Sequence, residues 1–459
     1  MPALTVVILA AGEGTRMRSA LPKVLHPICG RPMIEWPVVA ARAAGAERVI
    51  VVDNPKRMLG EHLPDGTETA IQERPLGTGD AVAAAFDLID PGAPVVVING
   101  DLPLITGEAI ASAVAAHAEA NAAATLSSVE LDDPSGYGRV IRDGDGAVER
   151  VVETKNPGDA TPEELAIREI NAGLYVFDGQ ALVAALRSLS PANEQGEIYL
   201  PDVLPALRSA GKPVNAHPLG DPDVALGVND RVDLAHVTRI AQQRIHRAHQ
   251  LAGVTIVDPA STLIDATVAI GEDTTVEPST FLRGRSRVGA RCSIGPLSTL
   301  IDTDLGDGVT VRHSYLDGAS AADGVTIGPF AYLRPKAVLQ ENAKAGTFVE
   351  IKNSTVGPGS KVPHLSYVGD ADIGEGSNLG AGTITANYDG RRKHRTTIGS
   401  RVRVSVDTSF VAPVTIGDDA YTAAGSVITN DVPPGALGVA RQRQKNIEGY
   451  AERRREEGT

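Results

Sequence analysis

The stretch IGEDTTVEPSTFLRGRSRVGARCSIGPLSTLIDTDLG (Ile270–Gly306) sets an aliphatic residue before Gly at a near-constant step, at Ile270-Gly271, Val288-Gly289 and Leu305-Gly306. The same pair recurs at Ile327-Gly328, Val356-Gly357, Ile373-Gly374, Ile398-Gly399 and Ile416-Gly417. Steps of 18 residues (270 to 288, 398 to 416) and of 17 (288 to 305, 356 to 373) are close to three hexapeptides. That rhythm predicts a parallel β-helix in which three short strands and three turns make one coil. The aliphatic residue should point inward and stack on its equivalent one coil away. The Gly should serve the tight turn. All eight pairs are expected in one register. Helical patterning stops near residue 253, so residues 253–440 should hold about ten coils. One step, 373 to 398, is 25 residues. Its excess falls at Ala386–Lys393 (ANYDGRRK), and a solenoid places such excess in a loop, often on its binding face.

The chain has 459 residues, which predicts about two or three domains. Its net charge of −14, with no long basic stripe, argues against a general nucleic-acid binder. A single nucleotide held by a few local cations remains compatible with it. No apolar run reaches the roughly 18 residues of a membrane span. The start, MPALTVVILAAG, lacks a basic leader, so a cytoplasmic location is expected. Only two cysteines occur, Cys29 and Cys292, in widely separated segments; reduced thiols are expected rather than one disulfide, and two cysteines so placed exclude a Cys-based zinc site.

Toward the N-terminus the period changes. Thr5–Leu9 (TVVIL), Val49–Val52 (VIVV) and Val95–Ile98 (VVVI) are short, β-branched and apolar at every position, as buried parallel strands are. Helical stretches at Met33–Ala44 and Gly79–Leu88 separate them. The order predicts a doubly wound α/β sheet with right-handed crossovers, and such sheets bind ligands beyond the carboxyl ends of their strands. Between the halves, 229–251 predicts a connecting helix starting near Asn229 or Asp230. Its buried stripe would be Val237, Ala241, Ile245 and Ala248. His246 and His249 are read as a solvated face rather than a metal pair. The expected division is 1–228, a connecting helix at 229–252, and 253–459.

The segments after the strands carry the chemistry. Leu9–Met17 (LAAGEGTRM) follows the first strand; Gly12 and Gly14 let backbone N–H groups approach a phosphate. It is neither a P-loop nor a full G-x-G-x-x-G, because Met17 sits at the third Gly position. Arg16 and Lys23 place cations at the same sheet end, where they serve either a phosphate or the surface. Asp101, in Asn99-Gly100-Asp101, is either a hard-cation ligand or a turn residue. Gly77-Thr78-Gly79 opens a helix and offers donors to a base or ribose. In the coiled half, His364 and Tyr367 (HLSY) precede the inserted loop. A near-neutral His can deprotonate an amine for attack on a thioester, and with no Cys nearby the transfer would be direct.

LAAGEGTRM, LPK (21–23), QERPLGTGDA (72–81), NGD (99–101), YGRV (137–140), NAGLYVF (171–177) and GVND (227–230) resemble the sugar-nucleotide pyrophosphorylase type of nucleotidyltransferase. With the β-helix attached, the chain resembles, over nearly its full length, the bifunctional bacterial N-acetylglucosamine-1-phosphate uridyltransferase/glucosamine-1-phosphate acetyltransferase family. The resemblance implies a Rossmann-like first domain and a left-handed parallel β-helix. It implies a homotrimer with acetyl-transfer sites between subunits, and a place in UDP-N-acetylglucosamine supply for the cell wall. Leu9, Ala10, Ala11, Gly12, Gln72, Gly77 and Thr78 would hold UTP, with Arg16 and Lys23 neutralising its phosphates. Asp101 and Asn229 would hold Mg²⁺. Gly138, Glu153 and Asn171 would hold N-acetylglucosamine 1-phosphate. His364 would be the general base of acetylation. Arg334, Lys352, Tyr367, Asn378 and Lys393 would hold glucosamine 1-phosphate. Ala381, Asn387, Tyr388, Ala424 and Arg441 would line the acetyl-coenzyme A site.

Two positions depart from many relatives. Glu13 stands where a Lys is common, so it is expected to face solvent and leave more of the charge to Arg16. Val406 stands where a Ser is common, and Ser405, one position earlier, is expected on the opposite strand face. The expected C-terminus, Arg453–Glu457 (RRREE), is a solvated tail. Two other readings fit the residues: a single-activity nucleotidyltransferase whose coil only assembles it, and a non-catalytic scaffold that binds sugar nucleotide.

Overall fold

The computed structural model describes residues 4–154, 158–189 and 196–458. It divides into two compact units, Met1–Ala241 and Gln242–Thr459.

The first unit is built on a nine-stranded sheet: β1 (Thr5–Leu9), β2 (Arg48–Asp53), β3 (Glu68–Ile71), β4 (Pro94–Asn99), β5 (Ala124–Glu130), β6 (Arg139–Arg142), β7 (Val148–Val152), β8 (Glu169–Asp178) and β9 (Val214–Pro218). The main order is β9-β5-β8-β4-β1-β2-β3, with β6 paired to β8 and β7. β2, β1 and β4 are parallel, as the apolar runs predicted, and β3, which no run marked, adds to them in the same sense. β8 runs antiparallel between β4 and β5, a mixed sheet that the sequence reading did not foresee. Successive side chains of β1 serve opposite cores. Val6 and Ile8 pack with α1 (Glu35–Ala43) and α3 (Gly107–Glu119), while Val7 packs with α2 (Thr78–Ala83). Both faces are therefore covered, which is why the strands carry no polar alternation. α2 is shorter than expected: it ends at Ala83, and a 3₁₀ turn at Phe86–Leu88 follows.

The chain leaves β1 for β2 on one side and later returns through β4 on the other. Their carboxyl ends, Leu9 and Asn99, are register partners, and Gly100 N–H donates to Leu9 O at 2.8 Å. This is the switch point of the sheet, where a crevice opens beyond the strand ends.

The second unit is a three-sided parallel β-helix. Its first face has 11 strands, from Thr255–Ile256 to Leu437–Gly438. The second has 10, from Leu263–Ile264 to Val427–Ile428, and the third has 9, from Ala269–Ile270 to Val414–Ile416. About ten coils result, as the repeat predicted. Seven of the eight aliphatic-Gly pairs stack on the third face: Ile270, Val288, Leu305, Val356, Ile373, Ile398 and Ile416. The eighth, Ile327, lies on the first face. The column runs instead through Ala321 and Leu339, neither followed by Gly.

The role of these glycines also differs from expectation. The seven on the third face do not need a left-handed backbone, though Gly328 takes φ +95°; they need room. A Cβ on Gly289 would lie 2.4 Å from Gly306 O, and one on Gly357 would lie 2.6 Å from Gly374 C. The left-handed turn residue comes two positions later, for example Asp273 and Arg291. The 25-residue step is a loop after the second-face strand Ile384–Ala386, in the expected place, and neighbouring rungs keep register across it.

The long helix spans Arg231–Leu251. Asp230 caps it, its carboxylate accepting from Val232 N and Asp233 N. Val237 and Ala241 are buried as expected, but Ala248 is exposed. The solvated reading of His246 is overturned: it is 3% exposed and contacts Gln242 Nε2 at 3.1 Å. Gln242 in turn bonds both Ile264 O and Ile264 N, satisfying the otherwise open edge of the second face. Among the described residues no cluster of His, Cys, Asp and Glu fit for a metal involves either histidine. Arg453–Glu457 is exposed but helical, within Tyr450–Glu457. Cys29 and Cys292 are buried thiols, not a disulfide.

Candidate active sites

At the switch point lies a cleft of about 460 Å³. Leu9, Ala10, Ala11, Gly12, Arg16, Lys23, Gln72, Gly77, Thr78, Asp101, Gly138, Glu153, Asn171 and Asn229 all line it. Residues separated by more than two hundred positions thus share one wall. Backbone conformation brings them there. Gly14 takes φ +62°, and the 3₁₀ turn Thr15–Met17 buries Met17 while leaving Arg16 exposed. A Cβ on Gly14 would come within 2.4 Å of Lys23 Cβ, so the glycine lets the two loops touch.

The cations and oxygen donors are paired. Arg16 Nη2 donates to Asn229 Oδ1 at 2.8 Å, and Lys23 Nζ lies 2.6 Å from Asp101 Oδ2. Val228 N–H bonds Asp101 O, which joins the strand end carrying Asp101 to the segment carrying Asn229. A carboxylate and an amide oxygen on the same wall are hard donors. With so few of them, they suit a Mg²⁺ that draws its other ligands from phosphate and water. Glu13 is 69% exposed, as expected, with Lys56 Nζ 3.7 Å from its carboxylate.

A register shift between Asn171 and Tyr175 in β8, with Gly173 at φ +72°, places Asn171 on the cleft wall. Asn171 Nδ2 donates to Tyr175 Oη at 2.6 Å, and Asn171 Oδ1 accepts from Gly173 N at 3.0 Å. Burial raises the Tyr175 hydroxyl far above its usual range, so it stays a neutral hydrogen-bonding group. Sequence reasoning missed several lining residues, among them Tyr137, Glu197 and Tyr199. Burial, and then the neighbouring Glu197, push Tyr199 up to about 12.

In the β-helix the predicted residues divide by face. Arg334, Lys352 and Tyr367 sit on the second face, whose strands put Tyr332, Glu350, Tyr367 and Ile384 in one column. Arg334 Nη1 donates to Glu350 Oε1 at 2.8 Å. Lys393, on the inserted loop, lies beside Lys352, which holds its ammonium below the usual lysine range. Asp370, 6% exposed, is the group sequence reasoning missed. Its carboxylate accepts from the amides of Asn353 and Asn387. Burial alone would raise it, but those two amides, with Lys352 and Lys393, hold it below the usual carboxylate range. No signal in the YVGDADIG segment separates this aspartate from an ordinary turn residue.

The loop itself is anchored by Asp389. Backbone N–H groups of Arg392 and Arg391 and the His394 ring at 2.7 Å bring its carboxyl down to about 2. Tyr388, on the loop, is 61% exposed. His364, Ala381 and Ala424 lie at or just beyond the ends of first-face strands, toward the second face. Asn378 is on the first face, opposite Lys361 and Arg403, and exposed Arg441 follows the last strand. A single chain therefore does not gather Asn378 with the Arg334–Lys352–Tyr367–Lys393 group. Ser405–Asp407 lies in a turn beyond the strand Arg403–Val404, so alternation of strand faces does not govern Ser405. Val406 is 47% exposed there.

Residues 5–221 match the Nucleotidyl transferase family. Bifunctional protein GlmU of Mycobacterium bovis is 49% identical over 460 residues, covering 98% of this chain and 92% of that protein. The chain belongs to the GlmU family. GlmU of Mycobacterium tuberculosis matches at the same identity and coverage. GlmU of Mycobacterium marinum is 48% identical over 98% of this chain and 93% of its own length. The GlmU relatives span both units, so the likeness is not confined to the nucleotidyl transferase half.

Proposed function

We propose that the chain makes UDP-N-acetylglucosamine in two steps, one in each unit. In the β-helix, glucosamine 1-phosphate is acetylated from acetyl-coenzyme A. His364 takes a proton from the amine as its nitrogen attacks the thioester carbonyl. The carbon–sulfur bond breaks and coenzyme A leaves as the thiol. Lys352, Lys393 and Arg334 supply cationic charge for the sugar phosphate, and Asn387, held by Asp370, faces the acyl donor.

In the sheet unit, a phosphate oxygen of N-acetylglucosamine 1-phosphate attacks the α-phosphorus of UTP. The bond to the β-phosphate oxygen breaks and pyrophosphate leaves. The protein need add little covalent chemistry: it aligns two anions that repel each other. Arg16 and Lys23 stabilise the charge gathering on the leaving group. Asp101 and Asn229 would hold Mg²⁺, which supplies further charge neutralisation on the phosphates when bound. The observation that carries the reading is the assembly around one cleft at the switch point of the fourteen residues that the sequence motifs and the resemblance single out, in a chain of the GlmU family.

The division of the acetylation residues between two faces supports a homotrimer in which a neighbouring copy supplies the missing side. The corner between first and second faces supports it too. There Leu297, Phe330, Phe348 and Leu365 are each more than half exposed and hold a left-handed backbone. Phe330 and Phe348 stack at 5.4 Å. Bulky side chains held outward at this cost form an apolar ridge suited to a second copy. A cytoplasmic location fits the phosphorylated substrates, and no described helix is long and apolar enough to cross a membrane.

The test is one incubation of the chain with glucosamine 1-phosphate, acetyl-coenzyme A, UTP and Mg²⁺, read by mass spectrometry. UDP-N-acetylglucosamine should appear and depend on every component. Formation only when N-acetylglucosamine 1-phosphate is supplied ready-made would reduce the chain to a nucleotidyltransferase.

A further inference from the structure

Gln72 follows β3 on the cleft wall and is 6% exposed. Its amide nitrogen makes two hydrogen bonds, to Gly77 O at 3.0 Å and to Asp80 Oδ2 at 2.9 Å. Both partners are acceptors, so they dictate which end of the amide is nitrogen. They also use both of its hydrogens. What Gln72 has left for a ligand is Oε1, an acceptor of fixed identity. Gly77 O is immobile in turn: it also accepts from Ala81 N in the first turn of α2, at 3.1 Å. A Cβ on Gly77 would meet Ile198 O at 2.4 Å, so the segment has no room to shift.

We propose that Asp80 is a specificity-determining positioning residue, which locks the Gln72 amide so that its oxygen alone reads the nucleotide base. The inference rests on the uridylyl-transfer reading above. A fixed acceptor selects a base that presents a ring N–H. Uracil has one at N3. Cytosine carries a lone pair at N3, and two acceptors facing each other repel. An amide free to rotate would meet either base, because it can offer oxygen or –NH₂ by a half-turn. The carboxylate of Asp80 removes that freedom: after a half-turn, Gln72 Oε1 would face the Asp80 and Gly77 oxygens. Discrimination by an unpaired polar group at the site is the strongest kind available to a small pocket. Asp80 touches neither substrate in this account; it acts through Gln72.

The test compares kcat/KM for UTP and for CTP, with N-acetylglucosamine 1-phosphate as acceptor, in the full chain and in Asp80→Asn. The asparagine presents either oxygen or –NH₂ to Gln72 and leaves Gly77 O as the remaining lock. The UTP/CTP ratio should fall about five- to tenfold, through better use of CTP, with KM for the sugar phosphate unchanged. Asp80→Ser, which withdraws the carboxylate altogether, should lower the ratio as well and guards against misfolding of the first variant. A ratio that stays the same in both variants, even if overall activity drops, overturns the assignment and leaves Asp80 a structural residue. If the unaltered chain transfers neither nucleotide, the parent reading fails instead.

Discussion

Asp101→Ala separates the two proposed activities. The variant removes a hard oxygen donor from the cleft and the partner of Lys23 at 2.6 Å. The two side chains are 26% and 14% exposed, so the pair lies between a surface ion pair, worth about 0–1 kcal/mol, and a fully buried one, whose disruption costs about 3–5 kcal/mol. A loss of about 1–2 kcal/mol in folding stability follows. For a unit of this size that is roughly 2–8 °C in melting temperature, leaving the protein folded at 25 °C. The effect on chemistry is larger. Lys23 loses its anchor in the same change that removes the donor, and one preorganised charge at a developing anion is worth about 10²–10³ in rate. Uridylyl transfer, followed as pyrophosphate release, should therefore fall at least about a hundredfold. Coenzyme A thiol release with glucosamine 1-phosphate should stay within about twofold, since every residue assigned to acetylation belongs to the second unit, from Arg334 onward, and shares no partner with Asp101. Uridylyl transfer within tenfold of the unaltered chain, or a proportional loss of both activities, would refute the reasoning.

His364→Ala should give the reverse pattern, lowering thiol release by about 10²–10⁴ while pyrophosphate release is kept. Asp370→Ala should raise KM for acetyl-coenzyme A, because Asn387 loses the carboxylate that holds it; an unchanged KM in steady-state kinetics would remove Asp370 from the site. Gly289→Ala should destabilise the β-helix by about 1–3 kcal/mol, since its Cβ would sit 2.4 Å from Gly306 O and 2.5 Å from Gly306 C, backbone atoms that cannot swing aside; thermal unfolding measures it. Burial holds His246, His249 and His117 below their usual value near 6.5 in the folded chain. The unfolded chain therefore takes up more protons, so stability is full above pH 6.5 and drains away as pH falls through the depressed folded values. Melting temperature should drop on that acid side, and less so in His246→Gln.

The parts legible in the sequence were those set by local pattern. β-branched runs placed β1, β2 and β4, because strands buried on both faces need no polar alternation. Spacing placed the coils and the inserted loop. It failed at Ile327-Gly328, which lies on the first face, because the column passes there through Ala321 and Leu339, which no Gly follows. β8 was missed because its antiparallel course is a property of pairing, not of composition. The polar pairs of the cleft were invisible for a similar reason: the ion pair Lys23–Asp101 joins residues 78 positions apart, and the hydrogen bond Arg16–Asn229 residues 213 apart. His246 reads as polar in any helical wheel; only the packing of Gln242 against Ile264 shows that this side of the helix is covered.

The loop between Ile384–Ala386 and Thr396–Ile398 shows that this solenoid measures corners, not residues. Asp372, Thr397 and Thr415 remain rung partners across it, so added length is thrown outward and the ladder never registers it. Doubling such a loop adds only about 0.6 kcal/mol of closure entropy. Yet Lys393 rides on that outward arc beside Lys352, so lengthening it would carry the cation away while the ladder stayed whole. On the role proposed for Lys393, a graft here should thus yield a well-formed protein that acetylates poorly, the two properties coming apart at a single splice point.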